Sequence, residues 1–153
     1  MSKLRIDILS ASELYQRTRT EPANRDLFKE RELSASVKTA RRLHYLSVSE
    51  YQHQVNVTLS LGTRIVGIAG LQVNPSEQDM LWVQHVSVED KHRGKGYARM
   101  LIEAVYIYAV EQGKVVSPSS FSALGQRLKP LFRRLNEQYP QADAHEAFRD
   151  HLC

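Results

Sequence analysis

Between Gln54 and Val88 apolar residues gather in three short runs separated by turn residues. Gln54-Val-Asn-Val-Thr-Leu-Ser alternates with period two, as a strand with one buried face does. Leu61-Gly-Thr supplies a hairpin turn, and Arg64 to Val73 pairs back as the next strand. Asn74-Pro-Ser-Glu-Gln-Asp is a second turn, after which Leu81 to Val88 (LWVQHVSV) is apolar and β-prone. The runs predict a three-stranded antiparallel meander. Upstream, Leu4-Arg-Ile-Asp-Ile-Leu alternates as a first strand. Ala11 to about Thr20 reads as a helix, with Ser10 or Ser12 as N-cap and Glu13 in its first turn. Glu21-Pro-Ala-Asn ends it. Arg25 to about Tyr45 reads as a second helical region, with Leu27, Phe28, Leu33, Val37, Ala40 and Leu43 as candidate buried positions.

Beyond the meander the period changes. Tyr97 to Gln112 is a run of good helix formers, and Gly113 stands where a C-cap glycine is expected. Lys114-Val-Val-Ser is a short strand, and Pro118-Ser-Ser-Phe-Ser is turn-like. Ala123 to about Gln138 is helical, with Leu124, Leu128, Leu131, Phe132 and Leu135 on one face. Pro130 either kinks that helix or, if the helix starts near Lys129, sits in its first turn. The pattern predicts an α/β (α+β) chain in one domain, residues 1–153, with no repeat or linker.

Composition narrows the classes. A chain of 153 residues with 42% hydrophobic content can bury a real core. No apolar run reaches the roughly 18 residues a membrane helix needs, and MSKLRIDILSASE has no signal-peptide core. Cys153 is the single cysteine, which excludes an internal disulfide and a cysteine-based metal site and suits a cytoplasmic home. His145 and His151 are six apart, on different helix faces, so no metal is expected there. The net charge of +4 reads as solubility charge rather than a nucleic-acid footprint. Arg41-Arg42 and Arg133-Arg134 are the basic doublets, and no aromatic ladder accompanies them.

The chemistry concentrates in Val86-Ser-Val-Glu-Asp-Lys-His-Arg93-Gly94-Lys95-Gly96-Tyr97-Ala98. It reads as a strand, a basic loop with two glycines, and a helix start. Unpaired N–H groups at a helix start attract phosphate, and glycines let the backbone approach it. Arg93 and Lys95 add positive charge. The loop therefore predicts a bound diphosphate. It is not the dinucleotide fingerprint GxGxxG, because the third glycine is absent, nor the Walker pattern.

Arg93-Gly-Lys-Gly96-Tyr-Ala98 does match the pattern Arg/Gln-x-x-Gly-x-Gly/Ala, and here the chain resembles the GNAT superfamily, the Gcn5-related N-acetyltransferases. Ile65-Val-Gly-Ile-Ala-Gly-Leu71 looks like that family's third strand, residues 81–88 like its fourth, and the helix from Tyr97 like the one that carries the coenzyme A diphosphate. The resemblance covers residues of about 55 to 115 well and the N-terminal third loosely. It implies a GNAT-like fold, a central mixed and mostly antiparallel sheet flanked by helices. It also implies direct acetyl transfer from acetyl-coenzyme A to an amine, with no metal. By that analogy Val86, Ser87 and Val88 bond the pantetheine arm through their backbone, and Arg93, Gly94, Lys95, Gly96, Tyr97 and Ala98 hold the diphosphate. A backbone N–H at a bulge in the fourth strand would stabilise the charge that develops on the thioester oxygen.

His85, one residue before the expected bulge, has the free pKa for a general base or proton relay. The competing reading is a strand histidine packed under a helix or tied to a carbonyl. Glu77 and Asp79 read as solvated turn residues or as carboxylate bases. Trp82, expected in the core, and Gln84 should share the face opposite His85.

The chain also departs from the family. An asparagine after the fifth strand and a tyrosine two turns along the next helix are usual. Here Ser117, Ser119, Ser120 and Ser122 occupy the asparagine region, and no tyrosine occurs between Tyr108 and Tyr139. Phe132 stands in for the aromatic ring but cannot donate a proton. Ser119 and Ser120 either bond the cofactor or cap the next helix. After Tyr139-Pro140, residues 141–153 read as a short helix or polar tail, so the family's usual two-strand ending looks lost or reduced, and either a neighbouring subunit of a homodimer completes the acceptor site or the acceptor groove is unusually open. Two classes follow: an acetyltransferase acting on a small-molecule or protein amine, which the intact loop favours, or a non-catalytic GNAT-like module that binds a protein or nucleic-acid partner.

Overall fold

A computed structural model describes residues 3–46, 54–73, 79–118 and 128–143. Strands β1 (Leu4–Ser10), β2 (Val55–Leu61), β3 (Arg64–Val73), β4 (Met80–Val88) and β5 (Val115–Pro118) form one sheet in that order. The first four pair antiparallel, and β5 runs parallel to β4. This is the mixed, mostly antiparallel sheet that the family resemblance implied, and β2, β3 and β4 are the meander that the pattern predicted. The β2–β3 hairpin turns at Gly62, whose φ of 59° favours glycine.

Helix α1 (Ala11–Thr20) starts at a reciprocal cap. Ser10 Oγ accepts from the Glu13 N–H, and Glu13 accepts from the Ser10 N–H. The expected second helical region divides in two. Pro22–Phe28 is a 3-10 helix, and α2 begins only at Ser34 and runs to Leu46. Glu30 makes the break, because its carboxylate accepts the N–H groups of Glu32 (2.7 Å) and Leu33 (2.6 Å). Leu27, Leu33, Val37 and Ala40 are buried as expected, with Phe28 and Leu43 packed against them.

Helix α3 spans Tyr97–Gln112 and closes on Gly113 in the left-handed region (φ 66°). It lies hard against the sheet: a Cβ on Gly67 would stand 2.9 Å from Leu101 Cδ1. Helix α4 is Lys129–Gln138, with Pro130 in its first turn rather than at a kink. A short 3-10 turn, Pro140–Ala142, follows, and Asp143 makes an isolated parallel bridge to Val116. Phe132 is a core residue, 6.2 Å from the Tyr106 ring between centroids. The Tyr106 hydroxyl donates to Asn136 Oδ1 at 2.7 Å, and burial pushes that phenol far above its usual range.

The sheet divides two apolar clusters. Val57, Leu59, Ala69, Leu71, Leu81, Val83 and Val88 face α3 and α4. Ile65 and Ile68 face Leu14, Leu27, Leu33 and Val37 on the other side. Each cluster removes many large aliphatic side chains from water, at about 1.5–3 kcal/mol apiece relative to exposure. The sheet is therefore held from both faces, which fixes the position of β4.

One register shift corrects the sequence reading. Gly70 pairs with His85 and Leu71 with Val83, so Gln84 is the extra residue of a bulge. The bulge therefore precedes His85 instead of following it. Its effect is to reset the alternation. Trp82 pairs with Gln72 and His85 with Gly70, two positions apart on β3, so Trp82 and His85 share the α2 face. Strict period two had put them on opposite faces. The Gln84 side chain turns to the Gln72 amide on that same side. Trp82 is half-buried and in neither core cluster, with Nε1 2.8 Å from Met80 Sδ. Among the described residues no helix is long and apolar enough to cross a membrane.

Candidate functional site

The loop after β4 is built by its glycines. Gly94 and Gly96 both have strongly positive φ (78° and 80°), and Gly96 is the N-cap of α3. The first intrahelical bond is Met100 N–H to Gly96 O, at 3.1 Å. The N–H groups of Tyr97, Ala98 and Arg99 therefore have no carbonyl of their own helix to bond, and no side chain caps the helix. A Cβ placed on Gly94 or Gly96 would meet nothing within 4 Å. Donors, dipole and open space together fit an anion.

The cradle opens into a cleft of about 270 Å³, lined by Glu32, Val86, Ser87, Val88, His92, Arg93, Gly94, Gly96, Tyr97, Ala98 and Leu128. The reason for the cleft is the sheet itself. β5 pairs with β4 only from Met80 to Val83, so residues 85–88 have no β5 partner among the described residues. Backbone groups on that edge of β4 can pair with an extended ligand as a strand would. Eight of the expected contact residues (Val86, Ser87, Val88, Arg93, Gly94, Gly96, Tyr97 and Ala98) thus come together. Lys95 is exposed and does not line the cleft. Ser119, Ser120, Ser122 and Glu77 lie outside the described residues. Asp79 is exposed, and its backbone carbonyl accepts the Val115 N–H at 2.7 Å.

His85 is partly buried on the α2 face. Its Nε2 meets the Ser87 hydroxyl, and its ring also bonds the backbone carbonyl of Glu32. Burial pushes its pKa down, against a smaller upward pull from the Glu32 backbone and carboxylate. The imidazole is thus held neutral in the range where amines are acetylated, and one of its nitrogens is placed to exchange a proton with a hydroxyl that lines the cleft.

Three residues that sequence reasoning missed shape this site. Glu89, 4% exposed, directly follows β4 and carries a carboxylate into the base of the loop. It pairs with Arg64 and lies 3.4 Å from His92 Nε2. Arg64 in turn bonds Asp26 and the Ala23 carbonyl, and holds the Asp26 carboxyl below its usual range. The 3-10 helix, the β2–β3 hairpin and the loop after β4 are tied through one guanidinium. The third residue is Glu32, whose Oε2 lies 2.8 Å from Arg93 Nη2. Arg93 Nη1 is also 3.3 Å from Asp90. The expected diphosphate cation is therefore engaged by two carboxylates. Nothing local in the sequence marks these pairs, since Glu32 and Arg93 meet only when α2 packs on the sheet.

A model of the acetyltransferase (GNAT) family matches residues 9–125. The chain belongs to the GNAT acetyltransferase family. It is 24% identical over 109 residues to the L-2,4-diaminobutyric acid acetyltransferase of Halalkalibacterium halodurans, covering 71% of this chain and 58% of that protein. The chain thus spans somewhat over half the length of that curated relative. Solved structures share the fold. The ribosomal-protein-S18-alanine N-acetyltransferase of Escherichia coli superposes with a TM-score of 0.57 at 15% identity, over 87% of this chain and 76% of that one. The diaminobutyrate acetyltransferase of Paenibacillus lautus, solved with L-2,4-diaminobutyric acid and coenzyme A, does so with a TM-score of 0.55 at 15% identity, over 90% and 77%.

Proposed function

We propose that this GNAT chain, as one domain, transfers an acetyl group from acetyl-coenzyme A to a primary amine by direct attack. The observation that carries the reading is the gap between β4 and β5 that runs into the unpaired amides of α3. A thioester on an extended arm that ends in a diphosphate matches both parts of that shape. Residues 86–88 would bond the arm through their backbone. The amides of residues 97–99, with Gly94 and Gly96, would hold the diphosphate. Acetyl-coenzyme A supplies the activated acyl group. Among the described residues no group of three or more His, Cys, Asp or Glu side chains is placed to hold a metal ion.

The chain's own residues then handle the proton and the charge. His85, neutral because it is buried, takes the proton of the attacking amine through the Ser87 hydroxyl, which lines the cleft and meets its Nε2, and returns it to solvent by the same hydroxyl. The new bond joins amine nitrogen to carbonyl carbon, and the carbon–sulfur bond breaks. The backbone bulge at Gln84 would turn an N–H toward the negative charge that develops on the thioester oxygen. With Phe132 in the core, no tyrosine on α4 protonates the leaving thiolate. A thiol with a pKa of about 8.5 can leave as thiolate and take its proton from water.

The acceptor is an amine, and the relatives suggest where to look. A panel should hold L-2,4-diaminobutyric acid, an aminoglycoside and a peptide with an N-terminal alanine. Thiol release from acetyl-coenzyme A, followed across that panel, is the test. Turnover on one amine upholds the reading. Tight coenzyme A binding with no turnover on any amine would favour a non-catalytic module, the second reading, to which the absent α4 tyrosine points. We place the reaction in the cytoplasm, where an unpaired thiol such as Cys153 stays reduced.

A further inference from the structure

Glu32 stands at a crossing of the two halves of the site. It lies in the turn before α2, its side chain is 19% exposed, and it is the one acidic side chain lining the cleft among the described residues. Its carboxylate reaches across to Arg93 Nη2 at 2.8 Å, while its backbone carbonyl is bonded by His85. Arg93 is 47% exposed, so the pair is screened by water and weak. A diphosphate seated on the α3 amides would bring two negative charges close to that guanidinium. One half-exposed cation cannot neutralise the diphosphate and Glu32 equally, and the diphosphate has helix amides to help it compete. Arg31 Nε, 3.5 Å from Glu32 Oε1, is the other cation near the carboxylate, and at 83% exposure it leaves the cleft open.

We propose that Glu32 couples the two substrate sites: it holds Arg93 in the free protein, yields it to the diphosphate, and offers its carboxylate to the ammonium group of the acceptor. The inference rests on the loop being the coenzyme A site. It gives Glu32 a role on both substrates, with opposite signs. Removing its charge strengthens cofactor binding, because Arg93 keeps only its longer contact to Asp90 and a repulsion is lost. The same change weakens capture of the acceptor, which arrives as a cation.

The test is calorimetry with coenzyme A and with pantetheine, which lacks the diphosphate, on folded wild-type protein and variants. Glu32→Gln should bind coenzyme A about three- to tenfold more tightly, the scale of one partly screened charge contact, with pantetheine unchanged. Glu32→Asp, which keeps the charge, should stay near wild type. Arg93→Gln should bind coenzyme A about tenfold more weakly, as loss of a charge-assisted contact does, and Glu32→Gln should gain less in that background. In turnover assays Glu32→Gln should raise KM for the best amine of the panel while KM for acetyl-coenzyme A falls. Coenzyme A binding unchanged or weakened in a Glu32→Gln variant with a native circular dichroism spectrum would overturn the inference while leaving the loop assignment standing. An unchanged amine KM would remove the acceptor half. If wild-type protein takes up no coenzyme A, the loop reading fails and this inference with it.

Discussion

The two sides of β4 solve different problems by different means. Along its free edge and into α3, the site consists of main-chain groups. The donors are amides, their direction is set by Gly94 and Gly96, and Gly67 lets α3 sit close to the sheet. On the α2 face the site consists of side chains. His85, Ser87, Glu32 and Arg93 hold one another across elements that are distant in sequence. The contrast teaches that the glycine-loop half, where we propose the cofactor binds, is specified locally, by a short motif, whereas the side-chain half, where we propose the acceptor binds, exists only after the chain has folded. A main-chain cradle tolerates changes around it and fails when an anion or a bulky group enters. A side-chain network fails by degrees as members are removed.

The sharpest way to break the comparison is Gly96→Asp. It sets a carboxylate where the diphosphate should lie, in a folded chain. Coenzyme A affinity should fall about a hundredfold, the cost of losing two charge-assisted hydrogen bonds at roughly 1.5 kcal/mol each. Gly96→Ala separates backbone strain from charge: the left-handed φ of 80° costs an alanine about 1 kcal/mol, and affinity should drop far less. Equal affinity for Gly96→Asp and wild type, by calorimetry, would show that the anion sits elsewhere.

His85 comes next. If it carries the proton, His85→Ala should lower kcat by about a hundredfold, the lower bound for a positioned acid–base group, and leave coenzyme A affinity within a factor of about two. The pH dependence has a definite sign. Burial lowers the imidazole pKa from its ordinary 6.5, and the titratable group that opposes this is Glu32, on the turn before α2. The base must be neutral, so the His85 contribution to activity should be full above pH 6.5 and should fall as pH drops through the lowered value. Stability has the same direction. Protons bind the unfolded chain more tightly, so this contribution is intact above pH 6.5 and is lost on acidification. An acidic limb unchanged in His85→Ala would take this histidine out of the mechanism.

How far the sequence could lead follows the same division. The meander, the helix from Tyr97, its Gly113 stop and the phosphate loop are all written within windows of some twenty residues, through period, propensity and glycine placement. A serine cap on α1 was legible for the same reason, though the choice of Ser10 over Ser12 came only with the structure. The break between the 3-10 helix and α2 was not, because Glu30 has to be seen accepting two backbone N–H groups. The extra residue at Gln84 was invisible too. A bulge depends on the partner strand, and strict alternation then put Trp82 and His85 on opposite faces when they share one. Glu32, Glu89 and Arg64 look like ordinary surface charges until packing brings them to the loop.

Two smaller changes would sharpen the contrast. Glu89→Gln leaves Arg64 with a weaker partner and should cost about 1–3 kcal/mol, with coenzyme A affinity falling because the base of the loop loosens. Chemical denaturation and calorimetry would read the two effects. Ser10→Ala removes the α1 cap, should cost about 1 kcal/mol, and should leave coenzyme A affinity unchanged, since that helix end is remote from the cleft. A drop in affinity as large as that for Glu89→Gln would mean that the two halves are not separable.

The most direct measurement is a coenzyme A titration followed by backbone amide resonances. The account predicts that the largest shifts fall on Gly94, Gly96, Tyr97, Ala98 and Arg99, with a second set along Val86, Ser87 and Val88. Shifts that leave these amides untouched and gather instead on the basic surface of α2, at Lys38, Arg41 and Arg42, would contradict it.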